Sequence, residues 1–207
     1  MEPHLTRVDV DGPPSGVVLM LHGGRPSSSE AVDSRSASWL RMAALQRALA
    51  GRARDHGLAV WLLRYRHVGW NGGHGPTSDA RDALDLVRRE CGDVPVVLLG
   101  HSMGGRVAVH VAGDGAVAGV VALAPWWEPG DPVTGVRGKR VVAAHGRRDR
   151  ITSYRRTEAW LARAARAGAD VEMVDMGPRG HYLLTGASEW NRVAMDGVLS
   201  ALPAPRR

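Results

Sequence analysis

The sequence predicts a single α/β domain, in which a mostly parallel sheet of about seven strands carries helices on both faces. Two observations lead to this prediction. Short apolar runs of strand length recur along the 207 residues, and helical patterns lie between them. Continuous apolar runs are typical of strands that are covered on both faces. Strands that alternate with helices favour a parallel sheet.

Seven segments are predicted to be strands. Residues 5–10 alternate weakly between apolar and polar side chains, which indicates an edge strand. Most of the other six runs are continuously apolar, as expected for strands inside the sheet. They comprise residues 16–21, 58–63, 94–99, 117–124, 140–145 and 170–175.

Five segments are predicted to be helices. The second is expected to begin at Thr77 or Ser78 as its N-cap, with acidic residues in its first turn, where the helix dipole favours them. The fourth is expected to begin at a Thr152 or Ser153 cap and to stop at Gly168. The five segments are residues 38–57, 77–91, 102–113, 152–168 and 188–202.

The chain is expected to form one domain over residues 1–207, because this length suits a single core and no internal repeat is visible. Residues 1–4 and 203–207 are expected to fray at the ends. The one long polar loop, residues 23–38, has a length that is usual for a functional or mobile segment.

The composition excludes several classes of partner. Basic residues exceed acidic ones by 27 to 21, but the arginines are spread along the chain, so no nucleic-acid partner is expected. Cys91 is the only cysteine, which rules out an internal disulfide. The start of the chain does not have the pattern of a signal peptide, and no apolar run approaches the roughly 20 residues that span a bilayer. A cytoplasmic protein without a membrane partner is expected, as a monomer or homodimer.

The segment "GHSMGG" lies where a predicted strand gives way to a predicted helix. Gly100 and Gly104 would let the strand and the helix approach closely, with Ser102 exposed at the tip of the turn. The positive end of the helix could then stabilise negative charge on the serine oxygen. With its flanks, this segment resembles the nucleophile elbow of the α/β-hydrolase superfamily, which implies that Ser102 is a catalytic nucleophile.

The resemblance implies a base and an acid later in the chain, in the order Ser, acid, His. His181, in a Gly/Pro loop after the last strand, occupies the position that the family gives its base. His110 lies inside the helix after the elbow and is expected to point away from the site. His145 ends a strand and is expected to brace a turn.

The acid is expected in "HGRRDRI", which resembles the family's His-Gly-x-x-Asp turn and places Asp149 at the family position. A carboxylate on this loop could reach an imidazole on the loop after the next strand. The competing acids are Asp131, which lies in a different loop, and Asp175, which is close in sequence to His181.

Two backbone N–H groups are expected to hold the developing oxyanion. One is that of Met103, the residue after the nucleophile. The other belongs to the "LHGG" segment after the second strand, which resembles the family's oxyanion segment, and Gly24 or Arg25 is the expected donor. Only "PWWEPGDPVTGVRG" follows the fifth strand, so no cap domain fits there. The chain is therefore similar to compact, capless esterases and dienelactone-hydrolase-like members.

Four side chains near the predicted site are candidates for binding substrate, and these are Arg25, Trp70, Trp126 and Trp127. Aromatic walls suit an acyl or alkyl group, although tryptophans in these positions could equally cover the core. Neither a metal site nor a nucleotide-binding motif is visible, so no cofactor is expected.

The resemblance and the three residues together predict a serine hydrolase that cleaves a small ester or thioester through an acyl-enzyme. Other chemistry of the same fold remains open, namely peptide, lactone or C–C bond hydrolysis and acyl transfer. A non-catalytic binding module on this fold is the alternative from a different class.

Overall fold

The structure is a computed structural model, and it describes residues 4–203. The sheet has seven strands in the order β1-β3-β2-β4-β5-β6-β7, with β1 antiparallel to β3 and every other pair parallel. The strands are β1 His4–Val8, β2 Gly16–Leu21, β3 Leu58–Arg64, β4 Val96–His101, β5 Val117–Leu123, β6 Arg140–His145 and β7 Asp170–Asp175. The predicted fold class is confirmed, and residues 5–10 do supply an edge strand. The fraying expected at the ends lies outside the described residues, except at His4 in β1 and at Pro203.

Five α-helices cover the sheet, and both faces are buried. Helices α1 and α5 share one apolar cluster with the sheet, whereas α2, α3 and α4 share the other. Every residue of β2 and β4 is buried, which explains their continuous apolar sequences. The helices are α1 Ala37–Asp55, α2 His74–Cys91, α3 Met103–Val111, α4 Tyr154–Arg166 and α5 Ala187–Ala201.

Helix α2 begins one turn earlier than the sequence predicts. Its N-cap is Gly73, whose φ of +90° suits a residue without a Cβ atom, and Thr77 donates a hydrogen bond back to the Gly73 carbonyl (2.6 Å). Pro76 fits this first turn because N–H groups there have no partner within the helix. The prediction of acidic residues in the first turn was therefore wrong. For α4, Ser153 is the N-cap, and its Oγ accepts a hydrogen bond from the Arg156 N–H.

The loops that follow β4, β6 and β7 meet at the carboxyl edge of the sheet, where ligands bind in open α/β folds. The connection from β5 to β6 holds only residues 124–139, including a short 3₁₀ turn at Thr134–Val136, so this connection contains no cap domain. Within residues 4–203, no helix combines the length and the apolar character needed to cross a bilayer.

Candidate active site

Ser102 lies at the tip of a strained turn between β4 and α3. Its φ of 55° and ψ of −117° are unfavourable for a residue with a side chain. A Cβ atom at Gly100 would come within 2.4 Å of the Gly104 backbone, and one at Gly104 within 2.0 Å of the Leu21 carbonyl oxygen. Only glycine fits at both positions, and the turn presents the Ser102 hydroxyl to the carboxyl edge of the sheet.

Three side chains form one chain of hydrogen-bond contacts at this edge. His181 Nε2 lies 3.0 Å from Ser102 Oγ, and His181 Nδ1 lies 2.7 Å from Asp149 Oδ2. Ser102 and His181 are 6% and 5% exposed, and the side chain of Asp149 is fully buried. When Asp149 accepts from Nδ1–H, Nε2 is free to accept the serine proton, which is the arrangement that a general base requires.

Asp149 is fixed on both of its carboxylate oxygens. Oδ1 accepts from the backbone N–H groups of Ile151 (2.8 Å) and Thr152 (2.9 Å). Oδ2 also accepts from Thr152 Oγ1 (2.9 Å) and lies 3.2 Å from His145 Nε2. Burial would raise the pKa of Asp149, but the contacts with His145, His181 and Thr152 outweigh it and hold this pKa well below its usual range. The carboxylate is therefore ionised at neutral pH.

His145 contacts the same carboxylate oxygen as His181 and is fully buried. Its Nδ1 lies 2.8 Å from Thr157 Oγ1 on α4, so the imidazole joins β6, α4 and the Asp149 turn. This contact is compatible with a bracing role.

The two competing acids are engaged elsewhere. Asp131 is buried and accepts hydrogen bonds from Arg106 Nε and His110 Nε2, both at 2.9 Å. Asp175 ends β7 and pairs with Arg147. His110 is thus engaged by Asp131, and its ring also packs edge-on against Trp70.

His101 holds the backbone of His181, a contact that the sequence did not predict. It is buried, and its Nε2–H donates to the His181 carbonyl oxygen (2.9 Å). Burial, followed by the charge of His181, lowers the pKa of His101 to about 3, so this imidazole is neutral. His101 thus ties the turn that carries Ser102 to the loop that carries His181.

The two residues predicted to supply the oxyanion donors, Gly24 and Met103, are in contact. Among the described residues, neither the Gly24 N–H nor the Met103 N–H has a hydrogen-bond acceptor. The Arg25 N–H, by contrast, donates to the Val68 carbonyl oxygen (3.0 Å) and is not free. A Cβ atom on Gly24 would come within 2.3 Å of that same oxygen and 2.5 Å of Met103 Sδ. Gly24 is therefore the better candidate of the two.

We expect Gly24→Ala to lower kcat for 4-nitrophenyl acetate by about 10²- to 10³-fold, the usual cost of losing one oxyanion donor. The added Cβ must push the Gly24 backbone away from Val68 and Met103, and this moves its N–H out of place. Gly51→Ala, on α1, is the matched control, because a Cβ atom there meets nothing within 4 Å. A Gly24→Ala enzyme within twofold of the wild type would exclude Gly24 as a donor.

A cleft of about 510 Å³ opens above Ser102 and His181. One wall is the predicted long loop, which is tied to the segment after β3 by backbone hydrogen bonds such as Val68 N–H to Glu30 O (2.9 Å) and Trp70 N–H to Arg25 O (2.8 Å). The cleft is lined by Gly23, Gly24, Arg25, Glu30, Asp33, Arg35, Ser36, Ala37, Ser38, Arg41, Val68, His101, Ser102, Ile151, His181 and Tyr182. Arg41 and Tyr182 were not predicted as site residues.

The predicted aromatic walls are not found in this cleft. Trp127 is buried in the core, donates its indole N–H to the Gly105 carbonyl (2.9 Å) and packs on Trp160. Trp70 is 7% exposed and packs against Trp126 and the Arg106 guanidinium. Large aromatics gain most from burial, so both rings serve the core. Trp126 lines a neighbouring groove of about 770 Å³ instead, and of the four candidates only Arg25 lines the cleft.

Comparison with known proteins identifies relatives over almost the whole chain. The sequence profile described as the alpha/beta hydrolase family matches residues 18–205. No curated protein matches. An α/β serine hydrolase without a lid from Xanthomonas campestris is 19% identical, with a TM-score of 0.70 over 99% of this chain and 97% of that one.

Two further solved structures have the same fold. An α/β serine hydrolase homologue from Coxiella burnetii is 18% identical, with a TM-score of 0.72 over 94% of this chain and 90% of that one. Propionate-bound esterase 2 from Thermogutta terrifontis is 17% identical, with a TM-score of 0.71 over 100% of this chain and 93% of that one.

Proposed function

The chain belongs to the alpha/beta hydrolase family, and from that premise we propose that it is a serine hydrolase that cleaves a carboxylic ester or thioester through an acyl-enzyme. The observation that carries this proposal is the unbroken contact from Asp149 through His181 to Ser102. The N–H groups of Gly24 and Met103, which have no acceptor within residues 4–203, are the proposed oxyanion donors. This set of groups is what acyl transfer to a serine requires.

In the first half of the reaction, Ser102 Oγ attacks the carbonyl carbon while its proton passes to His181 Nε2. The Gly24 and Met103 N–H groups donate to the oxygen that becomes negative. The tetrahedral intermediate collapses, the bond to the leaving oxygen or sulfur breaks, and His181 returns its proton to that atom.

In the second half, water replaces the leaving group. His181 takes a proton from the water as it attacks the acyl carbon. When the second intermediate collapses, the bond from the acyl carbon to Ser102 Oγ breaks, His181 returns the proton to Oγ, and the carboxylic acid is released. Asp149 stays ionised throughout and stabilises the imidazolium that forms twice per cycle. The open cleft without a cap domain supports a small substrate or one that protrudes into solvent.

A fluorophosphonate probe tests the proposal directly. An activated serine attacks the phosphorus and expels fluoride, so mass spectrometry should find one adduct on Ser102. Ser102→Ala is the control and should carry none. If the folded wild-type protein is not labelled, the nucleophile is not activated, and the fold serves here as a binding module.

A further inference from the structure

Arg41 projects from α1 into the cleft that holds Ser102 and His181. Its guanidinium lies over the ring of Tyr182, 4.8 Å from the ring centroid. Its Nε is buried and has no hydrogen-bond partner in the described part of the chain. Over residues 4–203, Arg41 also forms no salt bridge.

The acidic side chains of the same cleft already have partners. Glu30 pairs with Arg25 (3.3 Å), and Asp33 Oδ1 accepts from the Arg35 N–H (2.9 Å) and the Ser36 hydroxyl (3.0 Å). Among the described residues, three arginines and two carboxylates line the cleft that contains Ser102, so positive charge is in excess there. A half-buried cation without a counter-ion has lost solvation, and burial lowers the pKa of Arg41 for this reason.

An anionic ligand would replace the solvation that the Arg41 guanidinium has lost through burial. A guanidinium binds a carboxylate through two parallel hydrogen bonds, and stacking on Tyr182 restricts the orientation of its plane. Tyr182 and Ile151, at 50% and 61% exposed, add apolar surface to the same cleft. The cleft thus combines an apolar wall with a half-buried arginine that has no salt bridge among residues 4–203. Arg35, the other arginine of the cleft without a salt bridge, is exposed.

We infer that Arg41 binds an anionic group of the substrate, so that the preferred substrates are esters that also carry a carboxylate or a comparable anion. This inference rests on the proposed hydrolase function and specifies its substrate class. Arg41 is then the residue that selects acidic esters over neutral ones of the same size.

Matched pairs of esters test the inference. Mono-4-nitrophenyl adipate and 4-nitrophenyl hexanoate differ in a charge on the acyl side, while 4-acetoxybenzoate and 4-acetoxybenzamide differ in a charge on the leaving group. In at least one pair, the wild type should hydrolyse the anionic ester with a higher kcat/KM than the neutral ester. Arg41→Gln should lower that preference about tenfold, mainly through KM, because a hydrogen bond to a charged group is lost. Arg41→Lys should keep part of the preference for the anionic ester, because lysine retains the positive charge but lacks the two parallel N–H donors of the guanidinium.

Arg47→Gln is the control, because Arg47 lies exposed on the same helix, outside the cleft, and its loss changes the net charge equally. It should leave the preference at the wild-type value. No preference for the anion in either pair, or an equal loss in Arg47→Gln and Arg41→Gln, would overturn the inference.

A binding measurement separates this inference from the proposed function. Adipic acid monoamide and hexanamide are titrated by calorimetry into Ser102→Ala protein with and without Arg41→Gln. The acid should bind at least tenfold more tightly than the neutral amide, and only where Arg41 is present. If the wild type hydrolyses none of the esters, the proposed function fails, and these titrations still decide whether Arg41 binds anions. Equal binding of the two amides would refute the assignment.

Discussion

Ser102→Ala is expected to lower kcat for 4-nitrophenyl acetate on the order of 10⁶-fold, the cost that loss of a triad nucleophile usually has. Without Oγ no acyl-enzyme can form, and His181 has no proton to accept at 3.0 Å. The residual rate should stay above that in water, because the free N–H groups of Gly24 and Met103 can still polarise the carbonyl.

Ser78→Ala is the matched control, because Ser78 lies on α2 and does not line the cleft. It should leave kcat within about twofold of the wild type, a change typical of a serine remote from the chemistry. Circular dichroism and the unfolding midpoint establish that both variants are folded. A Ser102→Ala protein that hydrolyses the ester at the wild-type rate would end the assignment of the nucleophile.

The fold could be predicted because each buried strand is recognisable from its own short apolar run, without knowledge of the rest of the chain. Runs such as residues 16–21 and 140–145 coincide with β2 and β6, since strands covered on both faces need apolar side chains at every position. The predicted bounds of β4, residues 94–99, were less accurate, because a glycine and a histidine continue this strand beyond its apolar run. β4 runs through His101 because Gly100 and His101 still pair with Ala122 and Leu123 of β5.

The candidate triad could be proposed for a similar reason, because each member lies in a short motif of its own. The contacts around the triad could not be predicted from the sequence, because they join segments that are distant along the chain. His101 binds the His181 backbone across 80 residues, and Arg41 meets Tyr182 only because α1 packs beside the loop after β7. The tryptophans show the same limit: an aromatic residue after a strand is equally compatible with a cleft wall and with the core, as Trp127 demonstrates.

Asp149→Asn is expected to lower kcat by about 10⁴-fold while the protein stays folded. The reason lies in the two backbone N–H groups, of Ile151 and Thr152, that donate to Oδ1. An asparagine must keep its carbonyl oxygen there, which turns its NH₂ group toward His181 Nδ1. Nδ1 must then accept a hydrogen bond, the ring proton moves to Nε2, and the imidazole can no longer take the proton of Ser102.

Asp175→Asn provides the matched control for this substitution and also tests the competing acid. Asp175 is solvent-exposed and pairs with Arg147 at the end of β7, so its loss should leave kcat within about twofold of the wild type, as for most surface positions. Both variants convert an aspartate into an asparagine. They differ in what the original carboxylate contacts, which is His181 for Asp149 and Arg147 for Asp175. If Asp175→Asn lost more activity than Asp149→Asn, the orienting carboxylate would be the one on β7. The 2.7 Å contact between Asp149 and His181 would then have no catalytic role.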